Sequence, residues 1–278
     1  LGLLYLDDME KKGVGIGTLN YYSLLGLGAG SLYLYNLGEK DTGLNDWVTK
    51  ISHSVDLNPQ TKLKFDQRFA SIYLIPSGRT DQTALNLNLA YADKVRRNFN
   101  FSNLDDRIGA IGKYTLSFSQ ATEKTSTDYS LNYDYAKSAP YWLRSSQRLT
   151  HRQPLWSDQV RLTTRINYSN SVADKGATSD EQLEPFLEIA GREKDFSWRV
   201  TGDWFWSYDG ARFANDTKNQ HTDKLPELGI TPRTLDLGWL NLSSDLTYGR
   251  YREVKYVPAL GANRNYSADR TKLTLNAS

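Results

Sequence analysis

The segment Phe196-Ser197-Trp198-Arg199-Val200-Thr201-Gly202-Asp203-Trp204-Phe205-Trp206-Ser207-Tyr208 places an apolar or glycine residue at every second position and mostly polar residues between them. Side chains of a β-strand point alternately to its two faces, so this segment predicts a strand with one apolar and one polar face. An apolar face with three tryptophans and a tyrosine is typical of a strand that faces lipid. The segment therefore predicts an all-β fold, an antiparallel transmembrane β-barrel of the outer-membrane type.

The composition agrees with a barrel better than with a helical membrane protein. The chain has 278 residues and a mean hydropathy of -0.60, which is low because a barrel strand turns only half of its residues to lipid. No stretch approaches the roughly 20 consecutive apolar residues that a membrane-spanning helix requires. The chain is rich in the residues that settle at membrane interfaces, with 18 Tyr and 7 Trp.

Charge and cysteine content exclude several classes of function. The 34 Lys and Arg residues nearly balance the 32 Asp and Glu residues, so no net field favours nucleic acid. The absence of cysteine excludes disulfides, thiolate catalysis and Cys-ligated zinc. The first residues, Leu1 to Asp8, lack the pattern of a signal peptide, which is expected of a processed protein or an excised piece.

The same alternation recurs along the chain and predicts roughly fourteen strands, given about 9 to 11 residues per crossing. Residues 47–57 and 63–75 form a predicted hairpin around the turn signal Asn58-Pro59. Residues 93–109 and 209–234 are predicted as polar loops. Short turns that alternate with longer loops fit an outer-membrane barrel, so residues 1–278 are expected to be one barrel domain or part of a larger one.

The residues that could carry catalysis are few and scattered. The three histidines, His53, His151 and His221, show no metal-binding or general-base spacing. The carboxylate pairs Asp7-Asp8 and Asp105-Asp106 are sequence neighbours and point apart in an extended chain, so they cannot act as an acid-base dyad. No nucleophile motif of the GxSxG type is present. We expect neither an enzyme nor a metal or cofactor.

The polar faces of the clearest strands carry charges that would line a lumen. These lumen-facing candidates are Lys62, Lys64, Asp66, Arg68, Arg161, Arg165, Arg199 and Asp203. Their cationic excess would favour anionic solutes or phosphorylated headgroups. Alternatively, each charge neutralises a partner on an adjacent strand and keeps the interior wet, and one sequence does not decide between the two.

The aromatic residues of the apolar faces are predicted to meet lipid and headgroups. These lipid-facing candidates are Trp198, Trp204, Trp206, Tyr208, Tyr133 and Tyr135. In a soluble protein the three tryptophans could instead stack on sugars, but their regular spacing favours lipid.

Several segments together resemble a known family. The opening Gly13-Val14-Gly15-Ile16-Gly17 through Leu25-Gly26-Leu27-Gly28-Ala29-Gly30 is similar to the start of the barrel domain in the LPS-assembly protein LptD (OstA) family. The stretch from Ile51-Ser52-His53-Ser54 to Tyr91-Ala92-Asp93 is similar to the same domain. The later segments Leu225-Pro226-Glu227-Leu228 and Tyr248-Gly249-Arg250-Tyr251-Arg252-Glu253 resemble its middle region.

The resemblance implies an outer-membrane translocon of Gram-negative bacteria. Such a barrel receives lipopolysaccharide from a periplasmic LptA-like bridge protein and inserts it into the outer leaflet through a lateral opening. An LptE-like lipoprotein plugs the barrel, and no covalent catalysis is involved. The family barrel has more strands than this chain provides, so the resemblance implies roughly its N-terminal half.

Three other interpretations remain open from the sequence. A general or anion-selective porin of about fourteen strands would also suit the cationic polar faces. An outer-membrane lipase or protease would need a nucleophile and base that the sequence does not offer. A soluble β-sandwich adhesin would leave the outward tryptophans unexplained.

Overall fold

The structure is a computed structural model that describes residues 2–10, 12–40, 43–74, 78–106, 111–137, 141–173, 178–208, 221–260 and 262–277. Eighteen strands run through these described residues and belong to one antiparallel sheet. The strands are β1 (Gly2–Met9), β2 (Gly13–Leu24), β3 (Gly28–Glu39), β4 (Asn45–Asn58), β5 (Thr61–Leu74), β6 (Gly78–Ala92), β7 (Arg96–Asp106), β8 (Ile111–Ala121), β9 (Ser126–Ala136), β10 (Trp142–Pro154), β11 (Val160–Ala173), β12 (Thr178–Arg192), β13 (Phe196–Asp203), β14 (Trp206–Ser207), β15 (His221–Pro232), β16 (Leu235–Asp236), β17 (Asn241–Val257) and β18 (Ala262–Ala277).

Most strands pair antiparallel with a neighbour in the chain, and β13, β15 and β17 pair with one another past the short strands β14 and β16. The predicted hairpin around Asn58-Pro59 is confirmed, since β4 pairs with β5 from Trp47↔Ser71 to Asn58↔Thr61. The longest ladder joins β17 to β18, from Leu242↔Ala277 to Val257↔Ala262. These registers confirm the prediction of an all-β antiparallel fold.

Helical structure is sparse in the described residues. Pro258–Leu260 forms one turn of 3-10 helix between β17 and β18. A search of the described residues finds no helix with the length and hydropathy needed to cross a membrane.

The sequence undercounted the strands. Roughly fourteen were expected, whereas the described residues contain eighteen, of which β14 and β16 are two residues long. Two predicted loops are the main cause. Residues 93–109 contain β7, whose end charges hid the alternation of Phe99 and Phe101, and residues 209–234 contain β15.

Strand β15 was missed because Pro226 and several charged residues read as loop. The Leu225–Pro226 peptide bond is cis, and the register shifts between Lys224 and Glu227. A β-bulge of this kind tolerates proline, because the bulged residues do not need to donate a ladder hydrogen bond. The Leu225-Pro226-Glu227-Leu228 motif therefore lies within strand β15 of the sheet.

The Trp-rich segment is a shorter strand than its alternation predicted. β13 ends at Asp203, and pairing resumes only at β14. The break has two anchors, because the Trp204 amide donates to the Pro185 carbonyl at 3.0 Å and the Phe205 amide donates to Asp223 at 2.8 Å. A single strand from Phe196 to Tyr208 was therefore wrong.

The chain divides into two compact units. Unit 1 comprises Leu1–Thr122, Ser130–Ser145 and Val172–Thr178, and unit 2 comprises Glu123–Tyr129, Ser146–Ser171 and Ser179–Ser278. Within the part of the chain that the structure describes, neither unit has an ordinary apolar core. Among the described residues the buried hydrophobic side chains are Leu37, Ala70, Ala136 and Val160, whereas buried polar residues include Glu39, Asp46, Asp223 and Glu227.

In unit 1, glycines of β2 make room for an aromatic ring of β3. A side chain at Gly15 would come within 2.8 Å of Cζ of Tyr35, and one at Gly17 within 2.6 Å of its Cδ2. The ring is held in place, because the Tyr35 hydroxyl donates to Asp7 at 3.0 Å and the ring stacks on Tyr33 at 6.2 Å. This ring covers the β2 backbone where glycine leaves it bare.

Gly15→Val is expected to destabilise the fold by about 1–3 kcal/mol, because the new side chain must displace the anchored Tyr35 ring. The measurement is urea unfolding of the reconstituted protein, followed by tryptophan fluorescence. The matched control is Gly38→Val, since a Cβ there lies 3.5 Å from Asn45 Oδ1 and 3.8 Å from the Val14 carbonyl oxygen, both at ordinary contact distance. Equal losses for the two variants would show that the Tyr35 contact is not the cause.

Candidate functional site

The polar face of unit 1 is built from one side of β4 and β5. Cross-strand pairing puts Lys62 opposite Asp56, Lys64 opposite Ser54, and Asp66 opposite Ser52. The charges are largely paired on this face: Lys62 lies 3.7 Å from Asp56, Lys64 lies 3.1 Å from Asp66, and Ser52 donates to Asp66 at 2.5 Å. Arg68 lies opposite Lys50, and its buried Nε has no hydrogen-bond partner among the described residues.

The face continues across β6 and β7 as a row of amides. Asn88 donates to Asn98 at 2.8 Å and also to Asn100, which in turn donates to Ser117 at 3.3 Å. In this part of unit 1 the side chains of the polar face are uncharged. The structure thus places the four candidates Lys62, Lys64, Asp66 and Arg68 together on one face of β5.

The polar face of unit 2 contains Arg199 and Asp203 of β13. In the sheet register Arg199 lies opposite Gly229 of β15, which lies opposite Thr247 of β17. Asp203 lies opposite Lys224, which lies opposite Tyr251. The Arg199 guanidinium lies 3.7 Å from Asp245, whose Oδ1 also accepts a hydrogen bond from Thr231 at 2.6 Å. Arg199 is therefore the cation of a three-strand polar network.

Glu227, from the Leu225-Pro226-Glu227-Leu228 motif, is the most enclosed carboxylate of this face. It is buried and accepts hydrogen bonds from Lys224 at 3.2 Å and from the Tyr251 hydroxyl. The bulge before Glu227 brings it to the same face as Lys224. A second carboxylate, Glu253, lies 3.0 Å from Lys255 and 3.7 Å from Arg270.

Arg161 and Arg165 of β11 have no carboxylate partner within ion-pair distance among the described residues. Arg165 instead stacks over the Phe186 ring at 4.7 Å, and its buried Nε has no hydrogen-bond partner in the described part of the chain. Lys62, Lys64 and Arg199 thus lie within ion-pair distance of a carboxylate, whereas Arg161 has no such partner among the described residues.

The opposite face of unit 2 is apolar and exposed. The registers align Trp198, Ile230, Leu246 and Leu273 in one row across four strands, with Val200, Leu228 and Tyr248 in the next row. Trp198 packs over Gly191, where a side chain would come within 2.5 Å of its Nε1. Trp206 pairs with Leu183 and is exposed, as is Tyr208. Trp204 lies outside the strand with its ring against Gly202.

In unit 1 the candidates Tyr133 and Tyr135 belong to an aromatic cluster with Tyr114. The ring centroids lie 6.0 to 6.1 Å apart. The Tyr135 hydroxyl donates to Asp105 at 3.2 Å, and Lys137 lies over the Tyr135 ring at 5.1 Å. Rings with one polar anchor of this kind suit an interface between an apolar layer and water.

Sequence reasoning missed a buried ion pair beside the break after β13. Asp223 is 0% exposed and accepts hydrogen bonds from Arg252 Nε at 2.7 Å and from the Phe205 amide at 2.8 Å. Its other neighbour is His221, at 3.8 Å. No sequence signal could have identified the pair, since β15 was read as a loop and cross-strand partners are invisible without register.

Unit 2 also contains an exposed ion pair between Lys124 and Asp158. Lys124 Nζ lies 2.8 and 3.0 Å from the two carboxylate oxygens of Asp158. The hydrogen bond that Lys124 donates to Asp158 raises the pKa of Lys124 above its usual 10.5. The Asp158 carboxylate therefore lies beside a cation. Within the described residues, no three His, Asp or Glu side chains gather as a metal site would require.

Comparison with known proteins leaves the family open. No family model and no curated protein matches the sequence. Among solved structures, the chain is similar to BamA from Haemophilus ducreyi lacking POTRA domains 1–3, with 10% identity and a TM-score of 0.32. The match covers 99% of this chain and 69% of that chain. A likeness this weak transfers no function.

Proposed function

We propose that this chain forms the wall, or part of the wall, of an outer-membrane barrel that inserts lipopolysaccharide into the outer leaflet. The observation that carries the membrane assignment is the inverted burial of β15 and β17. Leu228, Leu246 and Tyr248 are 40%, 40% and 52% exposed, whereas Glu227 and Thr247 between them are buried. A strand in a water-soluble protein buries the opposite set, so the apolar face calls for lipid.

The outer face of β17 also fits a lipid-facing band. The apolar band runs from Leu242 through Leu246 to Tyr248, and the exposed Arg250 follows. At about 3.4 Å per residue, Leu242 to Tyr248 covers about 20 Å along the strand. An apolar band that ends at a polar rim is expected of an outer-membrane barrel.

Lipopolysaccharide as cargo is supported by the family resemblance and by the two faces together. An amphipathic lipid needs a polar wall for its sugars and an apolar wall for its acyl chains. The resembling motif contributes to both, since Glu227 lies on the polar face and Leu228 on the apolar face. In this proposal an LptA-like bridge delivers the lipid and an LptE-like lipoprotein fills the lumen. Transport proceeds without covalent catalysis.

An anion-selective porin is the second candidate. Arg161 keeps a free positive charge among the described residues, and rings of such charges set anion selectivity in pores. A porin conducts by itself, whereas a translocon needs its plug lipoprotein.

The test is depletion of the full-length protein in its native cell while labelled lipopolysaccharide is followed to the surface. We expect surface delivery to stop and the label to accumulate on the periplasmic side. Unchanged delivery, together with steady single-channel conductance by the purified protein in a planar bilayer, would favour the porin and contradict the translocon.

A further inference from the structure

A hollow of about 990 Å³ opens on the polar face of unit 2, at the end where short turns join β10 to β11 and β12 to β13. Its volume lies at the upper end of the range for small-molecule sites. The hollow is lined by charged residues, among them Arg161, Glu188 and Arg192, and by small residues, among them Ala190, Gly229 and Thr231.

The register explains why a hollow exists here. Arg199 lies between Ala190 on β12 and Gly229 on β15, so both neighbours on its row are small. A side chain at Gly229 would come within 2.8 Å of Arg199 Cζ, which shows that the guanidinium lies over this glycine. On the next row Arg192 lies beside Ser197 and Thr231. The long side chains of Arg192 and Arg199 therefore have small residues as their neighbours on adjacent strands.

The charges of the hollow favour an anion. The hollow is lined by the cations Arg161, Arg192 and Lys194, by Arg199, which pairs with Asp245 at 3.7 Å, and by the carboxylates Asp158, Glu188 and Glu193. Asp158 already forms an ion pair with Lys124, whose Nζ lies 2.8 Å from Oδ1. Arg161 and Arg192 have no carboxylate within ion-pair distance in the described part of the chain, so their guanidinium groups are free to bind.

The remaining groups suit hydroxyls. Glu188 and Glu193 can accept hydrogen bonds from a polyol, and Ser197 and Thr231 can donate and accept. Guanidinium groups recognise phosphate with paired hydrogen bonds. We propose that the hollow binds phosphorylated sugars, with Arg161 and Arg192 on the phosphate and Glu188 on the sugar hydroxyls.

The source of the phosphorylated sugar is either a glycolipid headgroup or a free phosphate compound. The headgroup source rests on the proposed lipopolysaccharide function, whereas the site itself does not. Binding in vitro therefore tests the site separately from transport in cells.

The experiment measures binding to the full-length protein in lipid nanodiscs by calorimetry. The probes are a glucosamine disaccharide bisphosphate without acyl chains, the same disaccharide without phosphates, and inorganic pyrophosphate. We expect the bisphosphate to bind and the unphosphorylated sugar not to bind. Stronger binding of the bisphosphate than of pyrophosphate assigns the site to a sugar headgroup, and equal binding assigns it to free phosphate, which removes the sugar from the proposal.

Loss of an arginine should weaken the binding of phosphate compounds, and loss of the glutamate should strengthen it. Arg161→Gln and Arg192→Gln should each weaken bisphosphate binding at least about tenfold, as loss of a charge-assisted hydrogen bond does. Glu188→Gln should strengthen the binding of inorganic pyrophosphate, because it removes a repelling carboxylate. Arg250→Gln, an exposed arginine of β17 on the apolar side, is the matched control and should leave both affinities unchanged.

Equal binding by wild type, Arg161→Gln and Arg192→Gln would overturn the site, as would failure of the bisphosphate to bind at millimolar concentration. If the site binds phosphate while depletion leaves lipopolysaccharide delivery intact, the site stands and the proposed function fails. If depletion stops delivery while the bisphosphate does not bind, the function stands and the site fails.

Discussion

Arg252→Met should lower the free energy of unfolding by about 3–5 kcal/mol, because it leaves the carboxylate of Asp223 buried without its cation. Asp223 is 0% exposed, so water cannot replace the guanidinium that lies 2.5 Å away. The remaining hydrogen bond from the Phe205 amide does not neutralise the charge. The measurement is urea unfolding of the reconstituted protein, followed by tryptophan fluorescence.

Two companion variants separate burial from ion pairing. Asp223→Asn should cost less, about 1–3 kcal/mol, because Arg252 is 39% exposed and its charge can be hydrated once the carboxylate is gone. Lys255→Met breaks an exposed pair on the same strand, 3.0 Å from Glu253, and should cost at most about 1 kcal/mol. If Arg252→Met and Lys255→Met cost the same, the buried carboxylate does not depend on Arg252.

Leu273→Arg should destabilise the protein in phospholipid vesicles by about 2–4 kcal/mol, the cost of a cation on the lipid face near the middle of the bilayer. Leu273 is 60% exposed and lies opposite Leu246, in the centre of the apolar band. The measurement is the urea midpoint and slope in vesicles whose acyl chains match the band.

The next residue of β18 provides the control. Thr274 lies on the polar face opposite Asp245, so Thr274→Arg places its charge near a carboxylate and should change stability by no more than about 0.5 kcal/mol. A large loss for Thr274→Arg with none for Leu273→Arg would reverse the assignment of the faces.

The alternation in the sequence was sufficient to predict the antiparallel fold and the faces of individual residues. Lys62, Lys64, Asp66 and Arg68 share one face because period two alone decides it. The alternation failed where another contact outweighed it. The break after Asp203 depends on Asp223, a residue twenty positions away that reads as loop.

The partners of the charged residues could not be predicted, because they depend on register. Lys62 and Arg161 look alike in the sequence, yet Lys62 lies 3.7 Å from Asp56 and Arg161 has no such partner among the described residues. The hollow of unit 2 likewise depends on Ala190 and Gly229 flanking Arg199 on neighbouring strands. Small residues far apart in sequence give no signal until pairing aligns them.

The most direct test of the membrane assignment is a nitroxide scan of residues 271–275 in lipid vesicles. The chain has no native cysteine, so each introduced cysteine carries the only label. We predict an alternation with period two: high accessibility to oxygen at positions 271, 273 and 275, and high accessibility to a water-soluble nickel reagent at 272 and 274. Uniform access of the nickel reagent at all five positions, or an alternation of opposite phase, would contradict a lipid-facing row through Leu246 and Leu273.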